Sequence, residues 1–302
     1  MQLPLVTVII PAHNHSKYIE ECIDSVLSQE YSSIDLIVID DGSSDGTDCR
    51  IREILRRNPS SFRFLSRENR GLVATLNEGL KIARGNFICE LASDDLLLQG
   101  SLEKRVDYLL KHPEIGVVFA DAYHLFGPSR TKMRLNNGKT GFRSDTHSLS
   151  DLLSGKARML FATGLFRKEV INGIGGFDED FRYFEDIAIK FHLPLSTQVG
   201  YLDEPVMYYR KHGSNTSALQ KLAVRREKIL ALEKMLHLKP VGSVPVIKNE
   251  LSNEYRRYLK FAIYHAVNAR EHAAVFRKAR SLSPLSLRTW FYGILGPRKA
   301  CK

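Results

Sequence analysis

VTVIIPAHNHSKYIEECIDSVLSQEYSSIDLIVIDDGSSDGT, residues 6 to 47, sets two short apolar runs on either side of a segment with helical period. VTVII (6–10) and DLIVID (35–40) are rich in β-branched residues and each ends in polar ones, as strands covered on both faces do. Between them, from Lys17 to Gln29, Ile19, Ile23, Val26 and Leu27 fall on one helical face, with Ser16 as the expected N-cap. Strand, helix, strand in this order predicts a crossover unit and therefore a parallel pair.

The pattern continues outward. FRFL (62–65), FICELA (87–92) and IGVVFA (115–120) are further strand candidates, and Gly71–Ala83 and Leu102–His112 have helical period. Such alternation predicts an α/β fold with a mostly parallel sheet, in which ligands sit outside the carboxyl ends of the strands. Those ends are polar here: Pro11-Ala12-His13-Asn14, then Asp40-Asp41-Gly42-Ser43-Ser44-Asp45-Gly46-Thr47, then Ser93-Asp94-Asp95. Three strand ends thus bring carboxylates or amides to one rim. Residues 129 to 150 turn polar and are expected to form a mobile loop. From Leu219 the chain becomes helical, with Pro240, Gly242, Pro284 and Pro297 breaking it into shorter helices.

A chain of 302 residues, 43% hydrophobic and 26% charged, can bury one large domain core and still carry an appendage. No apolar run reaches the roughly 18 residues of a membrane span. The start, MQLPLVTVII, has neither a basic flank nor a small-residue cleavage site, so it reads as a strand in a cytoplasmic protein. Cys22, Cys49, Cys89 and Cys301 lack CxxC spacing and are expected to be small buried residues. The net charge of +10 is segregated: residues 219–302 hold 18 Lys and Arg against 5 Glu, an excess of +13. That suits an anionic surface, phospholipid headgroups or nucleic acid, with a solvated helical face as the plain alternative.

Adjacent carboxylates after a strand, Asp94-Asp95, can hold Mg²⁺ or Mn²⁺ through hard oxygen ligands, and they can equally cap a turn. Residues 41–46 resemble the opening of a calcium loop, but Arg52 stands at the twelfth position, where a carboxylate is needed. There is no GxGxxG after the first strand and no GxxxxGK[ST] anywhere. Phosphate would have to be met by a metal and by side chains.

Taken in order, PAHN (11–14), SVLSQ (25–29), DDGSSDGT (40–47), NRGLVATLNEGL (69–80) and GNFICELASDD (85–95) resemble the family 2 glycosyltransferases of GT-A fold. Gly175-Gly176-Phe177-Asp178, Glu185-Asp186 and the stretch from Arg210 to Ser217 match later family features, so the likeness spans roughly residues 4–217. It implies a Rossmann-like mixed sheet over residues 1–218 and a basic helical extension over 219–302.

The resemblance also distributes roles. Pro11 and Asn14 correspond to residues packing on the donor's base, and Asp41 to the carboxylate that hydrogen-bonds it. Asp94 corresponds to the ribose- or sugar-side carboxylate, Asp95 to the metal ligand, and His212 to a histidine reaching the metal or diphosphate. Glu185 and Asp186 correspond to acceptor-side carboxylates, Asp186 as base. One departure stands out: Lys190 and His192 occupy a helix where the family often has Arg. Arg67 and Arg70 could supply the missing positive charge. The implied reaction is inverting transfer from a UDP- or dTDP-sugar, with Mg²⁺ or Mn²⁺, to a glycan or lipid-linked hydroxyl. The implied setting is bacterial surface polysaccharide assembly, lipopolysaccharide included, at the inner face of the plasma membrane. A reading from another class is a non-catalytic scaffold that keeps the sugar-nucleotide site, against which intact Asp95 and Asp186 speak. A nucleotidyltransferase or nucleic-acid binder is a third reading, supported by the basic tail alone, since aromatic-interleaved binding strands are absent.

Overall fold

The computed structural model describes residues 3–127, 129–137, 139–182, 185–213, 221–238, 242–264 and 269–282. The chain divides into two compact units, Met1–Asn215 and Thr216–Lys302.

In the first unit the expected alternation is realised as β1 (Val6–Ala12), α1 (Ile19–Leu27), β2 (Ile34–Asp41), α2 (Thr47–Arg57), β3 (Arg63–Arg67), α3 (Leu72–Ile82) and β4 (Phe87–Glu90). Next come β5 (Leu96–Leu97), α4 (Ser101–Lys111), β6 (Ile115–Phe126), β7 (Ser129–Arg134), β8 (Thr140–Gly141), α5 (Leu149–Ser154) and β9 (Ala157–Arg158). A 3-10 turn (Phe161–Thr163), β10 (Leu165–Arg167), α6 (Lys168–Gly173), α7 (Glu185–Ser196) and β11 (Gln198–Lys211) complete it. Among the described residues the main sheet has nine strands in the order β3-β2-β1-β4-β10-β6-β11-β5, with β7 added against β6. β3, β2, β1 and β4 are parallel to one another, β10 is antiparallel to both its neighbours, and β5 is antiparallel to β11.

Period-2 alternation divides the strand side chains between two cores. Val6, Val8 and Ile10 of β1 join Leu36 and Val38 of β2 under α1, α2 and α4, where Ile23, Ile51 and Val106 are fully buried. Ile9, Ile37 and Ile39 point the other way, onto Val73 and Leu76 of α3 and Ile189 and Leu193 of α7. Each such side chain contributes about 1.5–3 kcal/mol when buried, so both faces lock the register of β1 on β2. Arg105, fully buried in α4, is satisfied by the carbonyls of Ser101 (3.0 Å) and Thr163 (2.9 Å) and by Ser101 Oγ (2.8 Å). It ties α4 to the 3-10 turn.

Three sequence expectations need correcting. Residues 129–150 are not one loop: β7 pairs with β6, and Arg134 forms ion pairs with buried Asp121 (2.5 Å) and with Asp203. β7 is an exposed edge strand, so it lacks the apolar alternation that would announce it. Ser16 does not cap α1; its N–H donates to Asp45 Oδ2 (3.0 Å), and the residue before the helix is Tyr18. Cys22 and Cys89 are buried but Cys49 is exposed, and Cys301 lies outside the described residues.

The second unit contains α8 (Lys221–His237), α9 (Val244–Tyr264) and α10 (Ala269–Leu282), with α9 packed on both others. Leu232, Met235, Ile247, Tyr255, Tyr258 and Leu259 form its core. Its acids are turned inward onto its own bases: Glu250 and Glu254 receive Lys228 (3.0 and 2.9 Å), Glu271 receives Arg226 (2.6 Å), and Glu233 receives Lys278 (2.6 Å). Among the described residues no helix is long and apolar enough to cross a membrane.

Candidate active site

The site is assembled where β1, β2, β4 and β11 end. After β1, Asn14 takes a left-handed backbone (φ 56°), which Asn tolerates better than most residues. Its Oδ1 accepts the Ser44 N–H (2.8 Å) and its own N–H donates to Ser43 Oγ (2.9 Å), fastening the β1 end to the β2 loop. That loop turns at Gly42 (φ 70°), where an added Cβ would stand 2.6 Å from the Asn69 nitrogen. Pro11 sits beside Ile39 in the β1–β2 register.

Asp40 accepts the Ser43 N–H (3.1 Å) and supports the turn. Asp41 is almost fully enclosed and its carboxylate faces the protein's own donors: the N–H groups of Arg70 and Gly71 (2.8 Å each) and the Arg67 guanidinium. It therefore shapes the entry of α3. Beside it lies a cavity of about 560 Å³ lined by residues 69–74 with Glu179, Phe181 and Arg182. Arg67 also pairs with Glu78 (2.7 Å), so its charge is spent within the fold, whereas Arg70 is exposed on the cavity wall.

The antiparallel pairing of β5 with β11, Tyr208 opposite Leu96, carries the end of β11 alongside Asp94 and Asp95. Asp95 is 1% exposed and accepts the Arg210 backbone N–H (2.8 Å). Burial first, and the neighbouring Asp94 second, push its carboxyl well above the usual range. The resemblance gave Asp95 as the metal ligand, but it is Asp94 whose Oδ2 meets His212 Nε2, at 2.8 Å. Arg210 donates to the Asp94 carbonyl (2.7 Å) and to Glu21 (2.7 Å) and lies over the Tyr18 ring. Tyr18 in turn stacks on His212, with ring centroids 5.1 Å apart.

His15, which sequence reasoning passed over, completes this corner. Its Nδ1 is 2.7 Å from Ser93 Oγ, and its ring makes edge contacts with Tyr18 and His212. Burial lowers its pKa against the opposing pull of Asp94. His15, Asp94 and His212 each offer a ligand atom, and the three atoms lie within 4.8 Å of one another. One carboxylate and two imidazoles fit a divalent cation by donor chemistry and by spacing. The signal that could have pointed to His15 was its position just past the β1 end, on the rim.

A model of the family described as glycosyl transferase family 2 matches residues 7–172, more than half of the chain. The chain belongs to that family. It is 28% identical over 220 residues to an uncharacterized glycosyltransferase of Rickettsia typhi, covering 71% of this chain and 66% of that one. It is 29% identical over 227 residues to the chondroitin synthase of Escherichia coli, covering 75% of this chain and 32% of the synthase. The chain thus spans just under two thirds of the first relative and about a third of the second. The crystal structure of Staphylococcus aureus TarS 1–349 with UDP-GlcNAc superposes with a TM-score of 0.68 at 18% identity, covering 96% of this chain and 88% of that one. The fold is GT-A.

In this family 2 member, α7 begins with Glu185 and Asp186. Asp186 is held by Lys190 one turn on. Facing them is Glu90, at the end of β4 and also unmarked in the sequence reading. One carboxylate oxygen of Glu90 and one of Glu185 are enclosed without a hydrogen-bond partner among the described residues. Burial, then Asp186, raise Glu90 to about 8, and the same causes raise Glu185 well above its usual value. Glu90 also adds to the upward push on Asp95, so its field reaches both groups of acids. Asn77 clasps the GGFD turn through both backbone groups of Phe177 (2.8 and 2.9 Å), lining a second cavity of about 370 Å³ with Gly175, Gly176 and His192.

Proposed function

We propose that this chain transfers a sugar from a nucleoside-diphosphate donor to an acceptor hydroxyl with inversion at the anomeric carbon. The observation that carries the reading is the convergence at one rim of a cation-competent corner, Asp94 with His212, and a carboxylate group, Glu90 with Glu185 and Asp186, with Asp95 between them feeling both Asp94 and Glu90. Pro11 and Asn14 pack the donor's base, Asp41 backs that pocket by fixing the α3 entry, and Asp94 faces the sugar-phosphate. Asp95, which the motif suggests as the ion's ligand, is buried and anchors the end of β11 by accepting the Arg210 N–H. A divalent cation at Asp94 and His212 would neutralise charge developing on the departing diphosphate. Asp186 takes the proton from the acceptor hydroxyl as that oxygen attacks opposite the nucleotide, and one displacement inverts the configuration.

The donor class follows the sequence resemblance, a uridine or thymidine diphosphate sugar. The family relatives favour polysaccharide assembly as the setting, on a cytoplasmic face where the +13 excess of residues 219–302 meets anionic lipid. The test is a mass-spectrometric panel of nucleotide sugars, scoring released nucleoside diphosphate with and without Mn²⁺. Release of one diphosphate, stimulated by Mn²⁺ and dependent on acceptor, is expected. Folded protein that binds a nucleotide sugar and never turns it over would instead establish the scaffold reading.

A further inference from the structure

We propose that His15 is a cation ligand of this corner, making it a two-histidine, one-carboxylate centre that takes borderline transition ions such as Co²⁺ or Zn²⁺ in preference to Mg²⁺. This rests on the cation role proposed above for Asp94 and His212 and adds a residue and a selectivity to it.

Three chain segments far apart in sequence supply the ligands: the loop after β1, the turn between β4 and β5, and the residue after β11. Their ligand atoms lie within 4.8 Å of one another. Two features mark His15 as placed for this task. Ser93, buried at 2% exposure and adjacent to Asp94, holds the Nδ1 side of the ring at 2.7 Å. A hydrogen bond on one imidazole nitrogen sets the ring's orientation and assigns the other nitrogen to the metal, the usual arrangement around metal-bound histidine. The ring is also packed edge-on against Tyr18 (5.9 Å) and His212 (6.0 Å), so the two imidazoles are positioned by the same aromatic neighbour. The nearby positive charge of Arg210 is met by Glu21.

Ligand chemistry gives the selectivity. Mg²⁺ demands near-octahedral oxygen coordination and gives up water reluctantly, so a site with one carboxylate and two imidazoles serves it poorly. Imidazole suits the later first-row ions, whose affinity for such sites rises from Mn²⁺ through Co²⁺ to a maximum at Cu²⁺ and falls again at Zn²⁺. With Asp94 and His212 alone the site would be hard enough for Mg²⁺; the second imidazole tips it.

The test uses the full chain, metal-free and without any nucleotide, so that it reads binding and not turnover. Co²⁺ is titrated while visible d–d absorption is followed, Zn²⁺ is added in competition, and Mg²⁺ binding is measured by calorimetry. Wild type is expected to bind Co²⁺ at least tenfold more tightly than Mg²⁺. His15→Ala should lose about tenfold or more in Co²⁺ and Zn²⁺ affinity with an altered d–d spectrum, and His15→Gln should behave likewise. His13→Ala, which removes a histidine two residues away, should leave the spectrum unchanged. Unaltered Co²⁺ affinity and spectrum in folded His15→Ala, or tighter binding of Mg²⁺ than Co²⁺ by wild type, overturns the proposal. If the Co²⁺ spectrum depends on His15 while no nucleotide sugar is turned over, glycosyl transfer fails as a reading and this centre stands.

Discussion

Asp186 and Glu90 carry opposite demands on protons, and each leads to a measurement. Asp186→Asn keeps size and hydrogen bonding but cannot accept a proton at neutral pH, so turnover should fall about 10²- to 10⁴-fold with donor affinity nearly unchanged. Near-normal turnover at saturating acceptor would move the base to Glu185. Glu90 has its pKa raised by burial and by Asp186, to about 8 from 4.5. Between those values the folded chain binds more protons than the unfolded one, so Glu90 makes the protein less stable as pH rises from 4.5 to 8. Glu90→Gln mimics the protonated acid. Denaturant titrations should find the variant gaining on wild type across that window by at least about 1 kcal/mol, less than one pKa unit's worth, and a pH-independent difference would refute the assignment. The place of Asp41 at the β2 end was legible from its motif, whereas its engagement by Arg67, Arg70 and Gly71 was not, because those partners lie across a strand and a loop.

At the scale of elements, α3 shows how helix and sheet constrain one another. Gly79 is interior to that helix, where Ala would ordinarily gain up to about 1 kcal/mol from propensity. A Cβ at Gly79 would meet Ile9 Cγ2 at 2.6 Å, and Ile9 is itself held in the core between strands. Overpacking of this kind costs about 1–3 kcal/mol, so it outweighs the propensity gain. Gly79→Ala should therefore lower the urea midpoint with m unchanged; a higher midpoint would mean that α3 can shift off β1. The first four parallel strands and α1, α3 and α4 were readable because both faces of β1 and β2 are apolar and those helices carry one-sided stripes; α2 (Thr47–Arg57) was not singled out. β7 was not, since an edge strand with exposed side chains has no apolar period, and β10 was not, since three residues carry too little pattern.

At the scale of the whole chain, the segregated charge predicts salt-sensitive membrane attachment. The five Glu of residues 219–302 cannot cancel 18 Lys and Arg, and Glu233, Glu250, Glu254 and Glu271 are paired inside the helical unit, which leaves the +13 excess in place. Full-length protein should sediment with vesicles containing anionic lipid at low ionic strength, release near ~0.5 M salt where the screening length shrinks to a few ångströms, and ignore neutral vesicles. Equal binding to neutral vesicles would point to apolar insertion, and no binding to either would make this unit structural. The aromatic stretch around Trp290 lies outside the described residues. What the sequence by itself determined is whatever local pattern encodes: the α/β alternation, the polar strand ends that gather at one rim, the family motifs, and the basic character of the last quarter. Tertiary structure alone decided which groups meet. Asp94 and not Asp95 faces His212, because β11 returns antiparallel to β5 from more than a hundred residues away and its backbone N–H at Arg210 takes up the Asp95 carboxylate. His15 joins them, and Glu90 faces α7, for the same reason: contacts across such separations are set by strand order and side-chain direction, which no window of sequence contains.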